Sequence, residues 1–212
     1  VYHSLTDRIP GGKRDISTVW QVHSQGDKTI FRTHNEIFIL ENDRIKVIKA
    51  ETDFSVSASI GDAIYLCQQG KGLYCLKNDS LVLFDRNELF INERMTYAIP
   101  FRGKDFLITV RDKGIFLYSP TAEKRLQKPE KFGKIDQFLT ENMAYTGIVL
   151  PGGDFAVGTT TRGIIIFDGE GRIKKIINKN SGLLDNTVYG LFVDSRGQLW
   201  AALDNGISLI QY

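Results

Sequence analysis

The 212-residue chain is 42% hydrophobic and 25% charged, with a formal net charge of +2. This composition excludes an intrinsically disordered chain, and so small a charge gives no reason to expect nucleic acid or an anionic membrane as a partner. No apolar run approaches the ~18 residues that a membrane span requires. The sequence begins at Val1 without a secretory signal, so we expect a processed chain or a piece of a longer one.

Short apolar runs recur along the chain, and turns rich in Gly, Asn or Asp separate them. Glycine adopts positive φ without steric cost, and Asn and Asp hydrogen-bond their own backbone, so these residues favour tight turns. The runs are rich in Ile, Val, Phe, Leu and Tyr, which favour strands. A glycine ends the first turn of each repeat, at Gly26, Gly61, Gly103, Gly153 and Gly197.

These turns predict a repeating unit of four antiparallel strands, A to D, in about 40 residues. The five units cover residues 16–52, 54–94, 95–142, 143–186 and 187–212, and the last stops after its third strand. Runs such as GIIIF are apolar at consecutive positions, so both faces of a sheet need cover. We therefore expect one all-β domain over 1–212, a β-propeller of four-stranded blades. A sandwich of unrelated strands is the alternative, but it does not explain the recurring turn.

The sequence leaves the closure of the ring open. Five blades would close if the N-terminal segment VYHSLTD supplied the missing fourth strand, because propellers avoid exposed edges. Equally, the chain could be five blades of a larger ring. An open ring would expose apolar faces and self-associate.

Three further segments carry local expectations. The best helical candidate is GKIDQFLTEN, Gly133 to Asn142, which we interpret as a loop with a single helical turn. The basic stretches 123–134 and 172–180 predict exposed outer strands, whose lysines oppose edge-to-edge pairing. Cys67 and Cys75 flank a turn, so they are either small buried residues or partners in a cross-strand disulfide.

The segment SGLLDNTVYGLFVDSRGQLWAALDNGISLI, residues 181–210, resembles the two-component-regulator propeller repeat. The matching residues are Gly182, Leu183, Asn186, Val188, Asp194, Gly197, Leu199, Trp200 and Gly206. The fourth repeat matches at its glycines, but Phe155 or Ala156 stands at the tryptophan position. The first three repeats match only in turns and strand spacing.

Repeats of that family form the sensing region of large bacterial receptors, which carry a histidine kinase or a DNA-binding output domain. The resemblance therefore implies a periplasmic sensor of an oligosaccharide or another small ligand. It also implies adjacent receptor domains as partners and a homodimer of the full receptor. A cytoplasmic location is the alternative.

The chain lacks the motifs of an enzyme. It has no Gly-x-Ser-x-Gly elbow, no phosphate-binding loop and no His-Glu-x-x-His, so we expect no catalytic residue, no metal and no cofactor. Asp194-Ser195-Arg196-Gly197 has too few carboxylates for calcium and is typical of a turn. Trp200 could stack on a sugar, but its position within a strand favours packing between blades.

Ligands of propellers usually meet one end of the central channel, which is built from turns between the second and third strands and from connections between blades. The candidate ligand-binding residues are the polar residues of these turns: Gln69, Lys71, Asp112, Lys113, Arg162, Asp204 and Asn205. Their position rather than their type selects them, and the alternative is that they are merely solvated. We therefore expect a non-enzymatic ligand sensor, with a protein-interaction scaffold and a propeller lyase or hydrolase as alternatives.

Overall fold

The computed structural model describes residues 4–12 and 16–212, and its strands form five separate antiparallel sheets. The first sheet contains β1 (Gln21–Gln25), β2 (Lys28–Arg32), β3 (Glu36–Glu41) and β4 (Arg44–Lys49), and the second β5 (Phe54–Ile60), β6 (Ala63–Gln68), β7 (Gly72–Lys77) and β8 (Ser80–Asp85). The third contains β9 (Met95–Pro100), β10 (Phe106–Val110), β11 (Gly114–Tyr118) and β12 (Leu126–Gln127), and the fourth β13 (Ala144–Val149), β14 (Phe155–Thr159), β15 (Ile164–Phe167) and β16 (Ile173–Ile177). The fifth contains β17 (Val188–Val193), β18 (Leu199–Leu203) and β19 (Ile207–Ile210).

Each sheet is a meander in which neighbouring strands are also neighbours in sequence. The helical segments are α1 (Glu88–Asn92), α2 (Gly133–Asn142) and short 3-10 helices at Thr6–Arg8, Pro10–Gly12, Glu130–Phe132 and Lys179–Ser181. The prediction of an all-β fold built from propeller blades is thus confirmed. The described fifth blade has three strands instead of four.

The chain divides into two compact units, Val1–Arg94 and Met95–Tyr212, and each sheet lies inside one of the five expected ranges. That residues 1–212 form a single ring stays a prediction. The turn chemistry is as expected, since all five anchor glycines have positive φ, between 56° and 89°. An L-residue with a side chain would be strained in that conformation.

In the first unit, the core lies between the first and second sheets. Ile30, Ile37 and Ile39 pack there against residues such as Phe54 and Leu66. Burial of these aliphatic side chains is the main stabilising term for this pair of sheets.

The opposite face of the first sheet is covered by the N-terminal segment. Leu5, Ile9 and Ile16 pack on the cluster that contains Phe38 and Ile45. Within VYHSLTD, residues 1–3 lie outside the described residues, and from Thr6 the chain forms a 3-10 helix. The described part of this segment therefore covers a sheet face and supplies no fourth strand to β19.

In the second unit, the two central strands of the fourth sheet, β14 and β15, are buried on both faces. Phe155, Val157 and Ile165 pack toward the third sheet, whereas Ala156 and Ile164 pack toward the fifth. This alternation explains why the strands of the fourth sheet are apolar at consecutive positions.

The interpretation of Gly133–Asn142 as a loop with one turn is wrong, because α2 is helical over all ten of these residues. Ile135 and Leu139 are buried in the cluster of the third and fourth sheets. The Asp136 carboxylate accepts the Ile115 backbone N–H at 2.8 Å, which anchors the helix to β11. Only two helix positions are buried, so the apolar pattern was too sparse to indicate a helix.

Cys67 and Cys75 are both free and buried, so the disulfide alternative is not realised. The strand register pairs Cys67 with Leu73 and Cys75 with Tyr65, which places the cysteines diagonally rather than opposite each other. The Cys67 thiol donates to the Phe90 carbonyl of α1 at 3.4 Å, and burial raises its pKa to about 11. It is therefore unreactive at neutral pH.

Candidate functional site

The first strands of four sheets share a β-bulge at their second residue. In β5, β9, β13 and β17 the pairing with the second strand skips one position. The skipped residues all carry a hydroxyl group and are Ser55, Thr96, Tyr145 and Tyr189. Bulges redirect side chains and are frequent next to functional sites, so this repeated feature makes one end of these four sheets a candidate site.

Two of these bulges place tyrosines side by side in the second unit. The rings of Tyr145 and Tyr189 have centroids 5.6 Å apart and meet at 69° in an edge-to-face arrangement. Both side chains are substantially exposed, Tyr145 at 39% and Tyr189 at 49%. An exposed aromatic pair of this kind offers flat apolar surface together with hydroxyl groups.

The Tyr189 hydroxyl connects this pair to the turn between β18 and β19. It donates a hydrogen bond to Asp204 Oδ1 at 3.1 Å, and this bond and the Asp204 charge raise the pKa of Tyr189. Asp185 lies on the approach to β17 and accepts the Thr187 backbone N–H at 2.8 Å. That hydrogen bond lowers the pKa of Asp185, so the carboxylate is ionised beside the tyrosines.

All seven sequence-predicted residues lie in turns between second and third strands. Asp204 contacts Tyr189 as described above. Lys71 instead forms an ion pair with Glu51 in the segment before β5, and the backbone N–H of Arg162 donates to Thr159 within its own turn.

The remaining predicted residues, Gln69, Asp112, Lys113 and Asn205, also belong to these turns. Gln69 is tied to the segment before β5, because its carbonyl accepts the Thr52 hydroxyl at 2.5 Å. Asp112 adopts a positive φ of 60°, and the Lys113 carbonyl accepts the Lys128 ammonium at 2.9 Å. Their role in binding stays a prediction.

Sequence reasoning missed Tyr145 and Tyr189, although a signal was present. Each tyrosine lies eight residues before the turn glycine of its repeat, Gly153 or Gly197. Aligning the repeats on those glycines therefore superimposes the two residues. The bulge hid them because it interrupts the two-residue alternation by which strand positions are usually assigned to a face.

The Trp200 side chain is 36% exposed, and its packing between blades stays a prediction. Its indole N–H donates to Asp194 Oδ2 at 2.9 Å. The other Asp194 oxygen accepts the backbone N–H groups of Arg196 and Gln198. Asp194 thus acts as a turn residue, as the sequence indicates.

Trp200 belongs to an apolar surface on the side of the fifth sheet that faces away from the fourth. We call it the outer apolar face, and it consists of Phe192, Trp200, Ile207 and Leu209. Phe192 and Ile207 are 63% and 67% exposed. In the fourth sheet, Ala156 and Ile164 occupy the positions equivalent to Trp200 and Ile207, and both are fully buried.

In residues 4–12 and 16–212, no three or more His, Cys, Asp or Glu side chains are grouped closely enough to hold a metal ion. Over the same residues, none of the helices has the length and apolar character to cross a membrane. The groups that the tyrosine site offers to a ligand are aromatic faces, phenolic hydroxyls and the carboxylate of Asp204.

No protein-family model matches the chain, and no curated protein sequence matches it. Solved structures do match. An extracellular domain attributed to a hybrid two-component system of B. thetaiotaomicron is 16% identical, with a TM-score of 0.70 over 92% of this chain and 28% of that one. The WD40 β-propeller domain of Doa1 is 15% identical, with a TM-score of 0.65 over 90% of this chain and 62% of that one.

Streptogramin B lyase is a third match, at 15% identity and a TM-score of 0.60, covering 92% of this chain and 68% of that one. The chain thus spans about a quarter of the two-component domain and less than two thirds of the Doa1 domain. At these identities the likeness concerns the fold alone, and proteins of different roles share it. The chain has a β-propeller fold that also occurs in extracellular domains of two-component systems.

Proposed function

We propose that this chain is a non-enzymatic, ligand-sensing propeller segment of a bacterial two-component receptor, located in the periplasm. Its ligand is an oligosaccharide or another small molecule, and adjacent receptor domains in a homodimer transmit binding. Two lines support this proposal: the resemblance of the fifth repeat to the two-component-regulator repeat, and the fold shared with the B. thetaiotaomicron domain. Binding changes the output only if the ligand has unequal affinity for two receptor arrangements.

The observation that carries the proposal is the exposed pair Tyr145–Tyr189, with the Asp204 carboxylate hydrogen-bonded to the Tyr189 hydroxyl. Sugar rings present C–H faces that stack on aromatic rings, and hydroxyls that bond to carboxylates and phenols. The pair offers both kinds of group within one small area. Asp204 is also one of the seven candidate ligand-binding residues predicted from the sequence.

Calorimetric titration of the chain with neutral oligosaccharides of cello-, xylo-, malto- and fructo-type tests this site. We expect one class to bind, and Tyr145→Ala or Tyr189→Ala to weaken its binding roughly fivefold, since loss of one stacked ring removes about 1 kcal/mol. Tyr212→Ala is the matched control, because Tyr212 is a similarly exposed tyrosine, at 44%, in another place. Absence of binding across the panel, or equal binding by all variants, would contradict the proposal.

A protein-interaction scaffold is the second candidate, and the outer apolar face favours it. Apolar patches of this kind on soluble proteins frequently mark contacts with other proteins. Streptogramin B lyase, an enzyme, has the same fold, so the absence of catalysis by this chain is tested directly. Incubating the chain with the same oligosaccharides and finding cleaved products would contradict the non-enzymatic proposal.

A further inference from the structure

A buried cation lies in the first unit, away from the tyrosine site. Arg32 ends β2 and is only 6% exposed. Its Nη2 donates to Gln21 Oε1 at 2.6 Å, and its Nε approaches Ser57 Oγ at 3.3 Å. Both partners are neutral, so neither compensates the guanidinium charge. A buried charge normally has a partner of opposite sign, because its desolvation is costly.

Hydrogen-bond donors converge on Gln21 in excess of what an amide oxygen usually accepts. Besides Arg32 Nη2, the backbone N–H of Ser57 reaches Gln21 Oε1 at 3.0 Å, and the Ser57 hydroxyl reaches it at 2.7 Å. A carbonyl oxygen has two lone pairs, and here it serves three donors. The local environment is therefore one that suits negative charge.

His23 completes the network and contributes no negative charge. Its Nε2 lies 2.7 Å from Ser57 Oγ, and its Nδ1 lies 3.0 Å from Ser59 Oγ. Since the Ser57 hydroxyl donates to Gln21, the imidazole donates from Nε2 to Ser57 and accepts from Ser59 at Nδ1. This assigns a neutral tautomer, and burial, followed by the Arg32 charge, lowers the pKa of His23 to about 4.

The Arg32 guanidinium keeps unused donors. Across the described residues it forms no ion pair, and its hydrogen bonds to Gln21 and Ser57 leave Nη1 without a partner. Nη1 is nevertheless accessible to solvent. Among the described residues, it is not one of the fully buried polar atoms that lack a hydrogen-bond partner. Burial lowers the pKa of Arg32 to about 10, which still leaves it charged at neutral pH.

We propose that Arg32, supported by Gln21 and the Ser57 hydroxyl, binds an oxyanion, either a carboxylate or a tetrahedral group such as phosphate or sulfate. The anion accepts hydrogen bonds from the free Nη1 and supplies the charge that the network lacks. Guanidinium donors match both anion geometries, because two parallel N–H groups reach two oxygens. This site lies apart from Tyr145 and Tyr189 and does not depend on the function proposed for them.

The test measures anion binding to the whole chain at constant ionic strength, with chloride as the reference. Acetate provides the carboxylate arm, and sulfate and inorganic phosphate provide the tetrahedral arm. The chain has two tryptophans, so Trp200→Phe leaves Trp20 as the reporter. Trp20 directly precedes Gln21, and its backbone N–H donates to the Arg32 carbonyl at 2.9 Å. We expect a saturable change in Trp20 fluorescence and a rise in Tm with one arm or both.

Two variants make the test specific to the cation. Arg32→Gln should lower anion affinity at least tenfold, because a charge-assisted bond is lost. Gln21→Glu should do the same while keeping every donor of Arg32 and Ser57, since its carboxylate would accept the same three hydrogen bonds and neutralise the Arg32 charge itself. Gln21→Glu also covers the case in which Arg32→Gln fails to fold. Arg86→Gln, which removes an exposed arginine of the same unit, should bind like the parent chain.

The outcomes separate clearly. Saturable binding by the parent chain supports the site if Gln21→Glu and any folded Arg32→Gln variant lose this binding and Arg86→Gln keeps it. Equal responses to chloride and to all three oxyanions, or binding retained in Gln21→Glu, would overturn it. Loss of neutral oligosaccharide binding in the Tyr145 variant has no bearing on this result, so failure of one proposal is distinguishable from failure of the other.

Discussion

His23 Nε2 lies 2.7 Å from Ser57 Oγ, so a side chain of β1 is bound directly to a side chain of β5. This contact holds a neutral imidazole in a half-buried position. Folding therefore disfavours protonation of His23, whose pKa falls from 6.5 to about 4.

The free energy of unfolding should consequently depend on pH through His23. Between pH 6.5 and about 4 the unfolded chain binds a proton that the folded chain does not, so stability falls as pH falls through this window. The difference amounts to about 3 kcal/mol. Urea unfolding of the parent and of His23→Asn at several pH values checks this, and the variant should lose less stability across the window. Parallel pH profiles would contradict the assignment.

Gly158 is expected to tolerate no side chain. A β-carbon there would lie 2.6 Å from Val188 Cγ1, whereas one on Gly190 would meet only Ala202 Cβ at 3.7 Å. Gly158→Ala should therefore destabilise the second unit by about 1–3 kcal/mol through overpacking, and Gly190→Ala should be close to neutral. Thermal unfolding measures both, and equal Tm values would refute the close approach.

Removing the Asp136 carboxylate should loosen α2. Asp136→Ala leaves the Ile115 N–H without its acceptor and removes the ion pair with Lys128. We expect a loss of about 1–3 kcal/mol. Gln137→Ala, one position along the same helix and exposed, should cost little. If both variants unfold at the same denaturant concentration, Asp136 does not anchor the helix.

Asp204→Asn should lower the pKa of Tyr189, because the carboxylate that raises it is replaced by a neutral amide. Ultraviolet titration of tyrosinate formation, with Tyr189→Phe used to identify the relevant step, measures this change. An unshifted titration curve would mean that the hydrogen bond between the two side chains does not form in solution.

The outer apolar face should drive self-association. Ile207→Ser removes an exposed isoleucine and should reduce association in sedimentation velocity runs over a concentration series, with little change in stability. Ile164→Ser is the matched variant, since both isoleucines directly follow a turn glycine, Gly206 or Gly163. Ile164 is fully buried, so this variant should lose several kcal/mol. A monomeric parent at all concentrations would contradict the first expectation.

The sequence predicted the sheets well because turn chemistry is local. Glycines such as Gly61 and Gly197 take positive φ whatever packs around them, and the strands between the turns follow. The helix α2 escaped prediction because its stability comes from two buried residues and from Asp136, which contacts a strand more than twenty positions away. No local pattern encodes such a contact.

The candidate sites were predictable only in part. Position along the repeat identified Asp204, but the bulge that turns Tyr189 toward it becomes visible only from the strand register. The Arg32 network was not predicted, because it depends on Gln21, His23 and Ser57 from two different sheets. In the sequence each of these is an ordinary polar residue of a strand.

The two central strands of the fourth sheet, β14 and β15, are covered on both faces by apolar side chains, and this enclosure has a dynamic consequence. The amides of β14 and β15 can reach water only if a neighbouring strand or sheet first detaches, whereas those of β19 lie on an edge without a fourth strand. Hydrogen–deuterium exchange within the second unit should therefore be slowest in β14 and β15 and fastest in β19. The order of opening in this unit is thus set by which sheet is enclosed.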